Sequence, residues 1–441
     1  MRCVQCLKKF DGISINFVGC WNERKPDLQW VILLRKKLDA AGLAHVHVEL
    51  ADFFDWNLAK TIKAQPALLH AISAFGRHYP GYASTPGARA LGLPLWSGED
   101  WNGAKPFTAT MAKLLNRNYI QGRMVRTIYW ALETSYYDNL PAEGHGPLVA
   151  IQPWSGHYKV LGPIWAIAHT TQFAQIGWRY LNSACELLPG GGSVVALKSP
   201  HSNNYSIIIE TQDATQPQKL MLLVSGGLPA NHVLHVWRSV PGDMFARQPD
   251  VTPEDGSVTI TLLPHAIYSL TTTMGQQKGT VSTIPPTAPF PLPYHGNFAT
   301  AARGQSPRYF ADQEGAFNVR PVPDGKGQVL EQVITEPQIP WSSQHKPFTI
   351  VGDMHWRNYS VACDVRLPAK GSAGLIARVA YVPWQFEQTT GYRLMLNASG
   401  TWQLFIGDHQ QIAQGTAPNA INLSSAIIIC IRCSPRVRSS L

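Results

Sequence analysis

Phe17-Val18-Gly19-Cys20-Trp21-Asn22-Glu23 is the stretch that decides the fold. A short apolar run of the kind that makes a buried strand ends in an indole, an amide and a carboxylic acid. In a parallel (β/α)8 barrel the chemistry sits at the C-terminal ends of strands, where the strand fixes the backbone and the following loop stays open to substrate. Leu93-Pro94-Leu95-Trp96-Ser97-Gly98-Glu99-Asp100 repeats the arrangement. At roughly 30 residues per βα unit, Glu99 lies two to three strands beyond Glu23. Two strands are read between them, His45 to Leu50 and Leu68 to Phe75, each after a helical segment. Two acids so placed point to glycoside hydrolysis, in which one carboxyl protonates the leaving group and the other attacks the anomeric carbon.

Working outward, Pro26-Asp27 opens a helix that Gly42 closes. Asp55 caps a second that runs to Pro66, and a third covers about Phe107 to Ile120 before Gly122. Arg77-His78-Tyr79-Pro80-Gly81 is a strand end followed by a turn, which puts His78 on the catalytic rim, where it can orient a carboxylate. A fifth strand, Thr127 to Leu132, carries Trp130 near its end. Five strands fall short of a closed barrel, and too few residues precede Phe17 for three more units. The chain as written therefore starts in mid-barrel and reads as an incomplete gene product or a fragmentary gene model. With two sheet edges unpaired, it is expected to aggregate and to be inactive when expressed alone.

Composition sets the outer limits. A chain of 441 residues with 45% hydrophobic and 15% charged residues has the material for two to three packed domains and is not disordered. The net charge of +9 is spread over 37 basic residues without Lys/Arg blocks, which argues against a nucleic-acid partner. Fourteen Trp and fifteen Tyr suit stacking on flat sugar faces. No apolar run is long enough for a transmembrane helix, and Met1 to Phe10 lacks the apolar region of a signal peptide. Cys3-x-x-Cys6 and Cys430-x-x-Cys433 could form a four-thiolate zinc site, but they stand at opposite ends of the chain. Sequons at Asn204, Asn358, Asn397 and Asn422 favour a secretory route.

From about Trp154 the texture changes. Ser193 to Leu197, Ser206 to Thr211, Lys219 to Val224, His232 to Trp237 and Val258 to Leu263 are short alternating or β-branched runs, spaced as in a β-sandwich. The proline-rich run from Ile284 to Pro293 reads as a semi-rigid linker. A second all-β region follows, with strands near Phe348 to Val351, Tyr359 to Leu367, Gly374 to Tyr381 and Trp402 to Ile406. Its basic end, Cys430 to Leu441, shows no closing strand and looks truncated. The fold class is thus multidomain α/β plus all-β. A partial TIM barrel (1–153), a β-sandwich (154–280), a linker (281–294) and a truncated lectin-like β domain (295–441) follow in order.

Five motifs in order carry a resemblance: Trp21-Asn22-Glu23-Arg24, His78-Tyr79-Pro80-Gly81, Trp96-Ser97-Gly98-Glu99-Asp100, Pro153-Trp154-Ser155-Gly156-His157-Tyr158 and His169-Thr170-Thr171-Gln172-Phe173. From about Asp11 to Ala417 the chain resembles the galactocerebrosidase (galactosylceramidase) family of glycoside hydrolases. The resemblance implies a barrel of which about strands 4 to 8 are present, a β-sandwich and a lectin-like domain. It implies retaining hydrolysis of galactosylceramide-type glycosphingolipids, with Glu23 as acid/base and Glu99 as nucleophile. Asn22, His78, Trp130 and Trp341 would bind substrate, Asn22 at the hydroxyl next to the anomeric carbon and Trp341 from the lectin-like domain. It implies no catalytic cofactor, a structural calcium in the lectin-like domain, a saposin-type lipid-presenting activator, and a lysosomal or secreted location.

Departures from the family bear on substrate. Its arginine that reaches the sugar from the sandwich falls near Met221, and a tyrosine after Leu-Pro falls on Ala142. Its barrel-to-sandwich disulfide has no matching cysteines, so packing must hold that joint. A related retaining β-glycosidase for another galactoside, or a non-enzymatic sugar-binding remnant, are the alternatives.

Overall fold

The computed structural model describes residues 2–101, 108–135, 146–279, 281, 283–313, 315–322, 327–336, 347–368, 370–379, 390–407, 409–417 and 427–433. Chain contacts divide it into two compact units: 1–134 with 144–149 and 159–282, and 135–143 with 150–158 and 283–441.

The first unit begins with helix α1 (Arg2–Asp11) and alternates short strands with helices: β1 (Phe17–Val18), α2 (Leu28–Ala40), β2 (His47–Leu50), α3 (Leu58–Ala64), α4 (Pro66–Ala71), β3 (Ala74–His78), α5 (Pro86–Arg89), β4 (Leu95–Asp100), α6 (Thr108–Gly122) and β5 (Met124–Tyr129). The strands pair in parallel in the order β1-β2-β3-β4-β5. Each successive βα unit adds one strand beside the last, as in a (β/α) barrel wall. Asp27 caps α2 by accepting from the backbone N–H groups of Gln29 and Trp30, and Val31 and Leu38 bury its inner face. With Val46, Val48, Leu50, Ile62, Leu68 and Phe75 they form the core beneath the sheet.

Three sequence expectations change here. Leu68 belongs to α4, and the strand starts only at Ala74, because the apolar run before it is a buried helical turn opened by Pro66. The second helix divides at Gln65, and Asp55 accepts from the N–H of Asn57 ahead of α3 rather than capping a single helix. The strand read as Thr127 to Leu132 begins three residues earlier, at Met124.

Helix α6 ties this wall to a seven-stranded antiparallel sheet built mainly from Ser193–Lys198, Tyr205–Glu210, Leu234–Val240, Asp243–Val251 and Ile267–Thr271. One face of that sheet packs on α6 and on α7 (Pro163–Thr171). Met111, Leu114 and Ala166 meet Ile267, and Tyr119 meets Val195, Leu197 and Ile208. The other face packs on a ribbon of Gln218–Leu223 paired with Ser257–Leu262, whose Leu220, Leu222, Val258 and Ile260 turn inward. The joint expected to hold by packing alone also has polar ties. Lys113 and Arg117 both pair with Asp213 at 2.8 and 2.6 Å, and Asn116 donates to the carbonyl of Ile208 at 3.3 Å.

In the second unit the proline-rich segment is anchored. Trp154 Nε1 donates to the carbonyl of Ala288 at 2.8 Å, and Phe290 is buried among Trp154, Tyr294, Tyr309 and Trp356. The all-β part includes a four-stranded meander, Ser372–Ala377, Tyr392–Asn397, Thr401–Ile406 and Gln410–Thr416. Ile427–Cys433 pairs antiparallel with Tyr359–Val365. The C-terminal end therefore does supply a strand, whose partner is too distant in sequence for a local pattern to reveal. Cys6, Cys20, Cys185 and Cys363 are free thiols; the side chains of Cys3, Cys430 and Cys433 lie outside the description, and the zinc reading with them.

Candidate active site

The site is built at the C-terminal ends of β1 to β4. After β1 the chain turns sharply. Trp21 and Glu23 both take left-handed backbone conformations (φ 62° and 53°), and the N–H of Glu23 donates to the carbonyl of Asp52 at 2.7 Å. Left-handed residues other than glycine persist only where their surroundings hold them, and that bond to the loop after β2 is one such restraint. Tyr79 (φ 46°) is held similarly, its N–H donating to the carbonyl of Glu99 at 2.7 Å. Strand β4 changes register against both neighbours near Ser97 to Asp100. Such irregularities re-aim side chains, and here Glu99 comes level with His78. Gly98 is needed at that point, since a Cβ would stand 2.1 Å from the carbonyl oxygen of Ala51.

These turns bring Glu23, His78 and Glu99 together, with one side-chain atom from each lying within 4.8 Å of the others. His78 is fully buried between the acids. Its Nδ1 is 3.0 Å from Glu23 Oε1 and 3.7 Å from Glu99 Oε2, while its Nε2 faces Asp52 Oδ1 at 3.7 Å. Tyr79 donates its hydroxyl to Glu99 Oε1. Burial opposes charge on His78, but hydrogen bonds to Asp52 and Glu23 and the charge of Glu99 outweigh it, so its pKa rises. The pKa of Glu99 also rises. Desolvation and repulsion from Glu23 and Asp52 exceed the help of the Tyr79 hydroxyl and His78. Asp100, next in the strand, is buried and accepts from Ser97 Oγ (2.7 Å), Asn118 Nδ2 (3.0 Å) and the N–H of Trp101 (3.0 Å), which anchors the end of β4.

Of the other predicted residues, Asn22 is half-buried beside Glu23, and among the described residues its amide makes no hydrogen bond. Trp130 follows β5, half-buried, its N–H donating to the carbonyl of Asp100 at 2.9 Å. Trp341 and Ala142 lie outside the described residues. Met221 points outward from its ribbon, 69% exposed. Three residues beyond the predicted set join the site: Tyr79, Asp52 and Glu49. Tyr79 stands in a motif already singled out, and Asp52 follows a strand as Glu23 does. Glu49 is a lone acid inside an apolar strand, which has no local signature.

Two carboxylates at the ends of parallel strands, with a histidine between them, are the side chains that hydrolysis of a glycosidic bond calls for. Residues 1–172 match the family model "Glycosyl hydrolase family 59", and residues 312–423 match "Galactocerebrosidase, C-terminal lectin domain". The galactocerebrosidase of Danio rerio is 32% identical over 93% of this chain and 67% of its own length. For that of Homo sapiens the figures are 32%, 90% and 62%. The chain belongs to glycoside hydrolase family 59, the galactocerebrosidase family, and spans about two thirds of the length of those relatives. Among solved structures, a glycoside hydrolase family 30 xylanase of Clostridium acetobutylicum superposes with a TM-score of 0.49 at 16% identity, over 61% of this chain and 68% of its own.

Proposed function

We propose that this chain carries the hydrolytic centre of a retaining β-galactosidase acting on galactosylceramide-type glycosphingolipids. The observation that carries the reading is the Glu23–Glu99 pair, in which one carboxylate oxygen of each lies within 4.8 Å of the other. Retaining enzymes hold their carboxyls about 5 to 5.5 Å apart, leaving no room for the water that an inverting enzyme places between sugar and base. Glu99, ionised and oriented by Tyr79, attacks the anomeric carbon while the protonated carboxyl of Glu23 gives its proton to the departing ceramide oxygen. Glu23 then takes a proton from water, which displaces Glu99 from the galactosyl ester. Asn22, next to Glu23 in the chain, binds the adjacent sugar hydroxyl in this reading, with Trp130 as a stacking surface; Trp341 enters only through the family resemblance. The test is proton NMR of the first-formed sugar from an aryl β-galactoside. Release of β-galactose supports the reading, and release of α-galactose removes it.

A second reading, a retaining β-glycosidase for a different galactoside, is favoured by one observation: the exposed Met221 stands near where the family's sugar-reaching arginine falls. Comparing galactosylceramide with a panel of soluble galactosides separates the two. The same proposal includes lysosomal or secreted placement, glycans on the sequons and a lipid-presenting activator. Asn358 is exposed and in the right sequence context, so a mass shift on endoglycosidase treatment checks the first two. A dependence of galactosylceramide hydrolysis on added saposin checks the third. Calcium in the lectin-like region gets no support from the described residues, which gather three or more acids or histidines only at Glu23, His78 and Glu99.

A further inference from the structure

One buried group in the first unit is not used by the chemistry above. Glu49, in β2, is only 6% exposed, and its Oε2 has no hydrogen-bond partner. Its other oxygen is where the interest lies. Glu49 Oε1 and Asp52 Oδ2 both lie 2.0 Å from the point that a Cβ on Gly19 would occupy. Residue 19 is a glycine because two carboxylates fill the space of its side chain. Two acids in contact cannot both be ionised, and the more buried one keeps the proton. Desolvation, then Asp52 beside it, push Glu49 up to about 9, against weaker help from the N–H of Ala51 and the charge of Arg126. Cys20, buried against the same pair, is raised to about 12 and stays a thiol.

Asp52 is also the residue whose Oδ1 faces His78 Nε2 and whose carbonyl receives the N–H of Glu23. A continuous path therefore runs Glu49, Asp52, His78, Glu23. We propose that Glu49 is a positioning residue for the acid/base limb: as a neutral acid it donates to Asp52, holds that carboxylate against His78, and so sets the charge of the imidazole that faces Glu23 and Glu99. The inference deepens the hydrolase reading and rests on it. The charged and titratable groups around the path are Cys20 and Glu23 after β1, Asp52 after β2, Tyr79 after β3, Glu99 on β4 and Arg126 on β5, whose guanidinium stacks 4.1 Å from the Trp96 ring centroid. Arg126 offers the competing role for Glu49, an ionised partner in a structural ion pair.

The two roles separate by substitution. A neutral donor is replaced by glutamine and not by leucine, whereas an ionised partner is replaced by neither. The measurement is the titration of His78 in the whole protein by nitrogen-15 histidine NMR, with the resonance assigned by its loss in His78→Gln. A nearby opposite charge shifts a pKa by about 1 to 3 units, so Asp52→Asn should lower the His78 midpoint by about one unit or more. Glu49→Leu should lower it in the same direction, and Glu49→Gln should leave it within about 0.3 unit, a small fraction of that shift. In parallel, kcat/KM on an aryl galactoside should fall roughly tenfold or more in Glu49→Leu, the scale on which supporting partners act, and recover substantially in Glu49→Gln. An unmoved His78 midpoint in both Asp52→Asn and Glu49→Leu, or equal shifts in Glu49→Gln and Glu49→Leu, would overturn the proposal. Absence of galactoside hydrolysis in the unsubstituted protein, both alone and joined to the preceding barrel portion of a relative, would instead remove the hydrolase reading, while the titrations still decide whether Glu49 governs His78.

Discussion

Two histidines of the first unit are equally buried and live in opposite chemistry. His78, at the end of β3, faces Glu23, Asp52 and Glu99 and is driven toward the charged form. His169, in α7 against the seven-stranded sheet, shares its ring nitrogens with Ser269 Oγ at 2.8 Å and Ser239 Oγ at 2.9 Å, lies near-parallel to Phe173 and meets Phe245 edge-on. With no carboxylate to offset burial, its pKa falls to about 3. Both were conspicuous in sequence, in motifs of similar length. Burial alone therefore does not say whether a histidine serves chemistry or packing; the charges brought to it by distant strands do.

The largest effect that sharpens this contrast is at the acids. Glu99→Gln should abolish turnover, since an amide cannot form the glycosyl ester. Glu23→Gln should retain the first step on aryl galactosides whose leaving group needs no proton, and added azide should restore part of its turnover. Equal loss on good and poor leaving groups would break the assigned roles.

Next come the histidines. His78→Asn should lower kcat by about a hundredfold, within the range of lost proton-transfer support, with a small change in melting temperature. His169→Asn should do the reverse. It removes the imidazole from two buried hydroxyls, which keep only the carbonyl of residue 169 and the N–H of Phe245, costing about 1 to 2 kcal/mol of stability, while turnover per folded molecule is unchanged. Thermal melts beside active-site titration separate the two.

A smaller effect is the sign of the pH dependence. A histidine whose pKa is raised on folding contributes stability that is full below the ordinary value of 6.5 and is lost as pH rises through the raised one. For His169 the folded value is depressed, so the unfolded chain takes up the proton first. Its contribution is full above 6.5 and is lost as pH falls toward about 3. The stability cost of His78→Asn should therefore shrink with rising pH, and that of His169→Asn with falling pH. Parallel curves in urea melts would show that the two sites do not differ in charge.

What was legible in the sequence follows the same physics. Glu23 and Glu99 could be read because a strand end announces itself locally, by an apolar run that stops at an acid. Strand β3 was misplaced because Pro66 to Ala71 is as apolar as a strand and too short for helical periodicity to declare itself. Ile427–Cys433 was missed because its only described pairing is with Tyr359–Val365, far back in the chain. Glu49 gave no sign at all. Its meaning depends on Asp52 and on the missing side chain of Gly19, which only the fold brings together.

The central claim is that Glu99 is the nucleophile of a retaining galactosidase, and covalent trapping tests it most directly. The protein is incubated with a 2-deoxy-2-fluoro-β-galactosyl donor bearing a good leaving group, and the digest is mapped by mass spectrometry. One fluorogalactosyl group on the peptide containing Glu99, absent in Glu99→Gln and still formed in Glu23→Gln, is the predicted result. An adduct on another carboxylate, or none from a preparation that turns over aryl galactosides, would contradict the account.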